Sequence, residues 1–238
     1  RDVERSRGLG DVYKRQKFDI LKATKQENVV RKRYVVNLCY IGVPMGLQYS
    51  ITAIGSTILQ AAVNGLGSSY VAAMTAGSKM FNFTCCPFDA LGSTMATYGG
   101  QNVGAGKIDR LGKGIRAAMI IGAVYSVVAL VVLFFTTDYI ALLFVDAAEV
   151  EIIRLTRRFI IASALFYIPL TGVNVYRFCI QGMGYSVFAI LAGVFEMLAR
   201  TLVAIFLIPV IGFNGACLAN PAAVSYTHLR AHETSLHL

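Results

Sequence analysis

The sequence predicts an all-α polytopic membrane protein, and three observations carry that prediction. Hydrophobic residues make up 56% of the 238 residues, with a mean hydropathy of +0.60. Charged residues make up only 15%, against roughly 25% in soluble domains, which argues against a single water-soluble domain. Finally, uncharged runs recur at the ~20-residue length that a helix needs to cross a ~30 Å hydrocarbon core. The net charge of +9 would suggest nucleic acid in a soluble chain. Here the basic residues sit at the edges of the apolar runs, so they read as membrane topology signals, and no nucleic-acid partner is expected.

The ends differ from the middle. Residues 1–16 and 224–238 are polar, aperiodic and abrupt, and they resemble translated adapter read-through rather than native sequence. All three histidines, His228, His232 and His237, fall in the second of these tails, so no proton shuttle or metal site is built on them. Residues 17–40 follow as a basic arm carrying Lys17, Lys22, Lys25, Arg31, Lys32 and Arg33 among apolar residues. That is the profile of a segment lying on an anionic cytoplasmic surface.

Five spans are predicted next, at residues 41–66, 70–100, 117–135, 159–176 and 187–210, with the start of a sixth at 215–223. With the arm inside, the inner side collects eleven basic residues, including Lys107, Arg110, Lys113, Arg116 and Arg177. The outer side collects only Arg154, Arg157 and Arg158. That bias fits the positive-inside rule. The five cysteines lie mostly in apolar runs with no C-x-x-C spacing, so neither a disulfide framework nor a zinc site is indicated.

Polar residues inside the spans are the candidate site. In the first span Gln48, Thr52, Ser56, Gln60 and Asn64 recur every fourth residue, a slowly drifting helical stripe that either bonds helix to helix or lines a cavity. Pro44 shapes the entry to this helix. In the second span Lys79, Asn82, Cys86, Asp89, Ser93 and Thr97 share one face, with Pro87 expected to kink the helix. Ionisable residues at bilayer depth are costly and face a partner or a water-filled cavity, although Lys79, nearer the outer end, also has the option of snorkelling. Glu196 and Arg200 are the only charges between Val187 and Val210, four residues apart and in the favourable order for pairing. Gly106-Lys107 lacks the remaining residues of a phosphate loop. No G-x-S-x-G, H-E-x-x-H or C-x-x-C motif is present, and no enzymatic activity is expected.

The runs PMGLQ at 44–48, ATYGGQNVGAGK at 96–107 and IQGMG at 180–184 resemble the multidrug and toxic compound extrusion (MATE) family of secondary transporters. The likeness extends over residues 17–223 and aligns with the second half of such a protein. It implies one lobe of a two-lobed transporter, whose partner is the N-terminal lobe of the same protein, with a substrate cavity between lobes. The implied activity is antiport, in a bacterial inner membrane, of amphipathic or cationic compounds against protons or sodium, with no other cofactor. A lipid-linked oligosaccharide flippase of the related polysaccharide-exporter group, or a non-transporting membrane scaffold, is the alternative. The sodium-coupled branch of the family carries an acidic residue early in its seventh helix and another in its tenth. Thr52, and Leu170 or Thr171, stand at those places here. In the branch resembling the DNA-damage-inducible transporters, the coupling aspartate lies in the first helix, outside this chain. The substrate or ion pathway candidates are Gln48, Thr52, Gln60, Lys79, Asn82, Asp89, Glu196 and Arg200.

Overall fold

The computed structural model describes residues 31–225. The tail at 1–16, residues 17–30 of the basic arm and nearly all of the closing tail lie outside the described residues. The chain divides into two compact units, 1–40 and 41–238, and the packing and the site described below lie in the second.

The described residues are helical. The helices are α1 (Lys32–Asn64), α2 (Ser68–Gly104), α3 (Asp109–Ala141), α4 (Val150–Ala164), α5 (Tyr167–Gly182) and α6 (Val187–Leu202). A π-helical turn, Val203–Leu207, continues α6 into the short helices α7 (Ile208–Ile211) and α8 (Phe213–Cys217), and residues 219–225 are again helical. Among the described residues two helical stretches, Asp109–Ala141 and Ile190–Ile211, are long and apolar enough on their own to cross a membrane. The pair α4 and α5 passes together as one broken span, bent by 53°.

The breaks fall where proline removes a backbone donor. Pro169 cannot donate to the Leu165 carbonyl four residues earlier, and its ring crowds that carbonyl; the helix stops at Ala164 and restarts at Tyr167. The span predicted at 159–176 is therefore two helices with a corner. Pro209 similarly denies a bond to Ile205, and the widened π turn lies over that carbonyl. Pro44 and Pro87, by contrast, lie inside continuous helices. Near Pro87 the Tyr125 hydroxyl donates to the Thr84 carbonyl at 2.8 Å, supplementing the ladder where proline disturbs it.

Two of the sequence motifs are helix terminators. In GQNVGAGK, Gly106 takes φ +69°, a conformation cheap only for glycine. There the Lys107 N–H bonds the Asn102 carbonyl at 2.8 Å and the Gly106 N–H bonds Val103 at 3.0 Å, a Schellman-type ending. In IQGMG, Gly184 takes φ +97° and the Tyr185 N–H bonds Ile180 at 3.2 Å. The Tyr98 hydroxyl then donates to the Arg110 carbonyl at 2.9 Å, tying the end of α2 to the start of α3.

Packing relies on small residues, as expected where lipid removes the hydrophobic drive between helices. A Cβ on Gly122 of α3 would lie 2.1 Å from Thr171 Cγ2 of α5, and one on Gly77 of α2 would lie 2.6 Å from the Phe159 ring of α4. Between these approaches sits an apolar core in which Phe88 stacks edge-on to Tyr125 and Tyr167, with centroids 5.0 and 5.3 Å away. The opposite face of α3 exposes Val124, Val127, Val128, Val131, Val132 and Phe135. So large an apolar stripe is compatible with lipid and not with water.

Candidate functional site

α1, α2, α5 and α6 enclose a cavity of about 290 Å³. Most of its polar lining comes from one pair of side chains on each: Gln48 and Thr52, Asn82 and Asp89, Asn174 and Arg177, Glu196 and Arg200. The pairs are spaced three, four or seven residues apart, which puts both members on one helix face. Asn220 adds an amide from the helical residues beyond α8.

The α6 charges are paired. Arg200 Nη2 lies 2.8 Å from Glu196 Oε1. Thr52 Oγ1 donates to Glu196 Oε2 at 3.2 Å, while Arg200 Nη1 donates to Ser56 Oγ at 2.8 Å and to the Thr52 carbonyl at 3.3 Å. The ion pair is thus bonded at both ends to one turn of α1. Gly55, on that turn, meets α6 so closely that a Cβ there would lie 2.9 Å from Met197 Cα. Thr52 occupies a place where the resemblance implies an acid in sodium-coupled relatives, and the carboxylate beside it comes from α6.

Deeper in, Gln181 Nε2 donates to Gln48 Oε1 at 2.9 Å, with both amides buried. A buried amide needs such a partner, and this one joins α5 to α1. Arg177 donates through Nη2 to Asn174 Oδ1 at 2.9 Å, and its guanidinium carbon lies 5.0 Å from the Phe178 ring centroid. Its Nε is buried without a hydrogen-bond partner, and among the described residues it has no ion pair within 4.0 Å. Asp89 is exposed at the cavity wall and likewise has no ion pair within that distance among the described residues.

Six of the eight residues singled out from the sequence therefore meet in one cavity: Gln48, Thr52, Asn82, Asp89, Glu196 and Arg200. The other two lie elsewhere. Gln60 donates to Asn64 within α1 at 3.1 Å, and Lys79 is exposed with its ammonium 5.6 Å from the Phe144 ring. Sequence reasoning missed Asn174, and it placed Arg177 in an inner loop. α5 runs on to Gly182, so Arg177 is a helical residue facing the cavity. The signal was an amide and a guanidinium three residues apart, one helical step. Among the described residues no three His, Cys, Asp or Glu side chains converge to hold a metal. The groups offered to a ligand are carboxylates, amides and guanidiniums.

A cysteine placed at position 89, after replacement of the native cysteines, is expected to react with a small water-soluble thiol reagent in lipid nanodiscs. Complete protection would mean that the Asp89 position faces lipid or packed protein rather than water.

The family model described as MatE matches residues 44–206. The chain belongs to the MATE family. Its fold matches solved MATE structures. The structure of MATE in complex with MaL6 superimposes with a TM-score of 0.78 at 14% identity, covering 90% of this chain and 50% of that one. An outward-facing multidrug resistance MATE transporter of the MOP superfamily gives 0.73 at 17% identity, covering 82% and 43%. A MOP superfamily transporter from Pyrococcus furiosus, described as having a binding pocket of reverse polarity that suggests a different function, gives 0.73 at 17%, covering 82% and 43%. No curated protein matches the chain. The MATE chain spans about half the length of the solved transporters it resembles. It is a multi-pass, all-α membrane protein with the architecture of one lobe of that fold.

Proposed function

We propose that this lobe belongs to a secondary antiporter that exports amphipathic or cationic compounds across a bacterial inner membrane in exchange for protons or sodium. The observation that supports the reading is the cavity between α1, α2, α5 and α6 in which Asp89 and Glu196 face amides and guanidiniums. Carboxylates among membrane helices are expensive unless a cation, a proton or a partner relieves them, so they suit a site that exchanges such species. Alternating access then comes from rocking of this lobe against a second one. A lipid-linked oligosaccharide flippase calls for a predominantly basic cavity, whereas two carboxylates here balance two guanidiniums.

The 238-residue chain alone is expected to give no proton-linked dye efflux from proteoliposomes, because the opposite cavity wall is supplied by the second lobe. Robust efflux would show that the lobe is self-sufficient. In the two-lobed form an imposed proton or sodium gradient should drive export of a cationic dye; no response to either gradient would overturn the antiport reading.

A further inference from the structure

Of the four charges that line the cavity, two form an ion pair and two have no ion pair within 4.0 Å among the described residues. Glu196 and Arg200 neutralise each other at 2.8 Å and are fastened to α1. Asp89 and Arg177 face the same cavity, one on α2 and one on α5, and neither has an ion pair within 4.0 Å among the described residues. Their helices are in close contact at this level. Gly92, one turn beyond Asp89, approaches Phe178 so closely that a Cβ there would lie 2.5 Å from the ring. The Arg177 guanidinium rests against that same ring.

A carboxylate and a guanidinium that share a cavity without pairing present opposite charges to whatever enters. A singly charged cation satisfies Asp89 and leaves Arg177 uncompensated. A singly charged anion does the reverse. A molecule carrying both an ammonium and a carboxylate satisfies both at once. The guanidinium is also oriented for this. Asn174 Oδ1 holds Nη2 and the Phe178 ring supports one face, which lowers the ordering cost of binding an anionic group. The apolar cavity residues Phe81 and Leu170 provide for a hydrophobic body.

We propose that Asp89 and Arg177 form a dipolar subsite that selects zwitterionic amphipathic small molecules over simple cations or anions. This rests on the reading of the cavity as the substrate path, and it narrows the substrate class named there.

The test uses three probes that share a phenyl ring and short chain and differ in charge: phenylalanine, phenethylamine and 3-phenylpropanoate. Each is titrated at neutral pH against the full chain in lipid nanodiscs by ligand-observed NMR, with empty nanodiscs subtracted. Phenylalanine should bind about tenfold more tightly than either singly charged probe, the scale of one added charge-assisted hydrogen bond. In Arg177→Gln the zwitterion should lose its advantage over the amine. In Asp89→Asn, a change at an exposed position, it should lose its advantage over the carboxylate. Arg177→Lys, which keeps the charge, should retain part of the preference.

An amine that binds the unaltered chain as tightly as the zwitterion would overturn the dipolar subsite and leave a cation site, as the broader antiport reading requires. An equal loss for all three probes in Arg177→Gln would assign Arg177 to packing alone and also overturn it. If no probe of any charge binds, the substrate-path reading of the cavity falls with it.

Discussion

Replacing Glu196 with Gln is expected to destabilise the lobe by about 2 kcal/mol, below the ~3–5 kcal/mol typical of breaking a buried pair. The discount follows from what remains. Arg200 keeps its bonds to Ser56 Oγ and the Thr52 carbonyl, and the pair borders a cavity rather than a dry core, with side-chain exposures of 12% and 20%. The double change Glu196→Arg with Arg200→Glu should recover most of the loss. Hydroxyls both donate and accept, so Thr52 can take a guanidinium donor and Ser56 can turn its proton from the Thr52 carbonyl to a carboxylate; the Thr52 carbonyl then loses the Arg200 and Ser56 side-chain donors. Denaturant titration in nanodiscs reads the stability. Efflux by the two-lobed form separates the roles: efflux retained in the swap assigns the pair to docking α6 on α1, and efflux lost from a well-folded swap assigns Glu196 to transport. If Glu196→Gln changes neither stability nor transport, the pair carries neither role.

Much of this site is legible in the sequence, because a polar residue inside an apolar run is conspicuous whatever the fold. Asp89, Glu196 and Arg200 stand out in that way, and the four-residue step between the last two is enough to pair them. The sequence does not tell which stripes share a cavity. The α1 stripe begins at Gln48 on the cavity and has drifted off it by Gln60, because a repeat of four residues is longer than the 3.6-residue turn. Arg177 and Asn174 are the instructive omissions. Apolar density thins after Tyr176, so a composition window ends the span there, yet backbone bonding carries α5 to Gly182. The helices likewise outrun their predicted spans elsewhere, as α3 does at Asp109–Ala141, because a helix ends where its capping chemistry lies rather than where the bilayer stops. Composition also hides the corner at Leu165–Phe166, since the residues on both sides are apolar. Pro169, through its lost donor, is the signal for it, and the reading of 159–176 as one span did not use that signal.

The largest single-residue effect is expected at Gly182, in the IQGMG run. A Cβ there would sit 2.0 Å from the Ala96 carbonyl oxygen and 2.6 Å from Ala96 C and Cα. All three atoms are backbone of α2, so no rotamer change relieves the overlap and α5 must move away from α2. Gly100 makes the reciprocal approach, with its Cβ position 2.7 Å from the Gly182 carbonyl oxygen. Gly182→Ala is therefore expected to cost about 3 kcal/mol, the upper part of the overpacking range. Gly112→Ala in α3 is the control. Nothing lies within 4 Å of its Cβ position, and alanine's better helix propensity should make that change neutral or stabilising by up to about 1 kcal/mol. The consequence for the site follows from the same contact. Asp89 is on α2 and Arg177 on α5, so separating the two helices should weaken binding of any ligand that must reach both charges, while the Glu196–Arg200 pair, bonded to α1, stays intact. Thermal unfolding of both variants in nanodiscs measures the first effect. A Gly182→Ala protein as stable as the unaltered chain would mean that α2 and α5 do not meet backbone to backbone in the membrane.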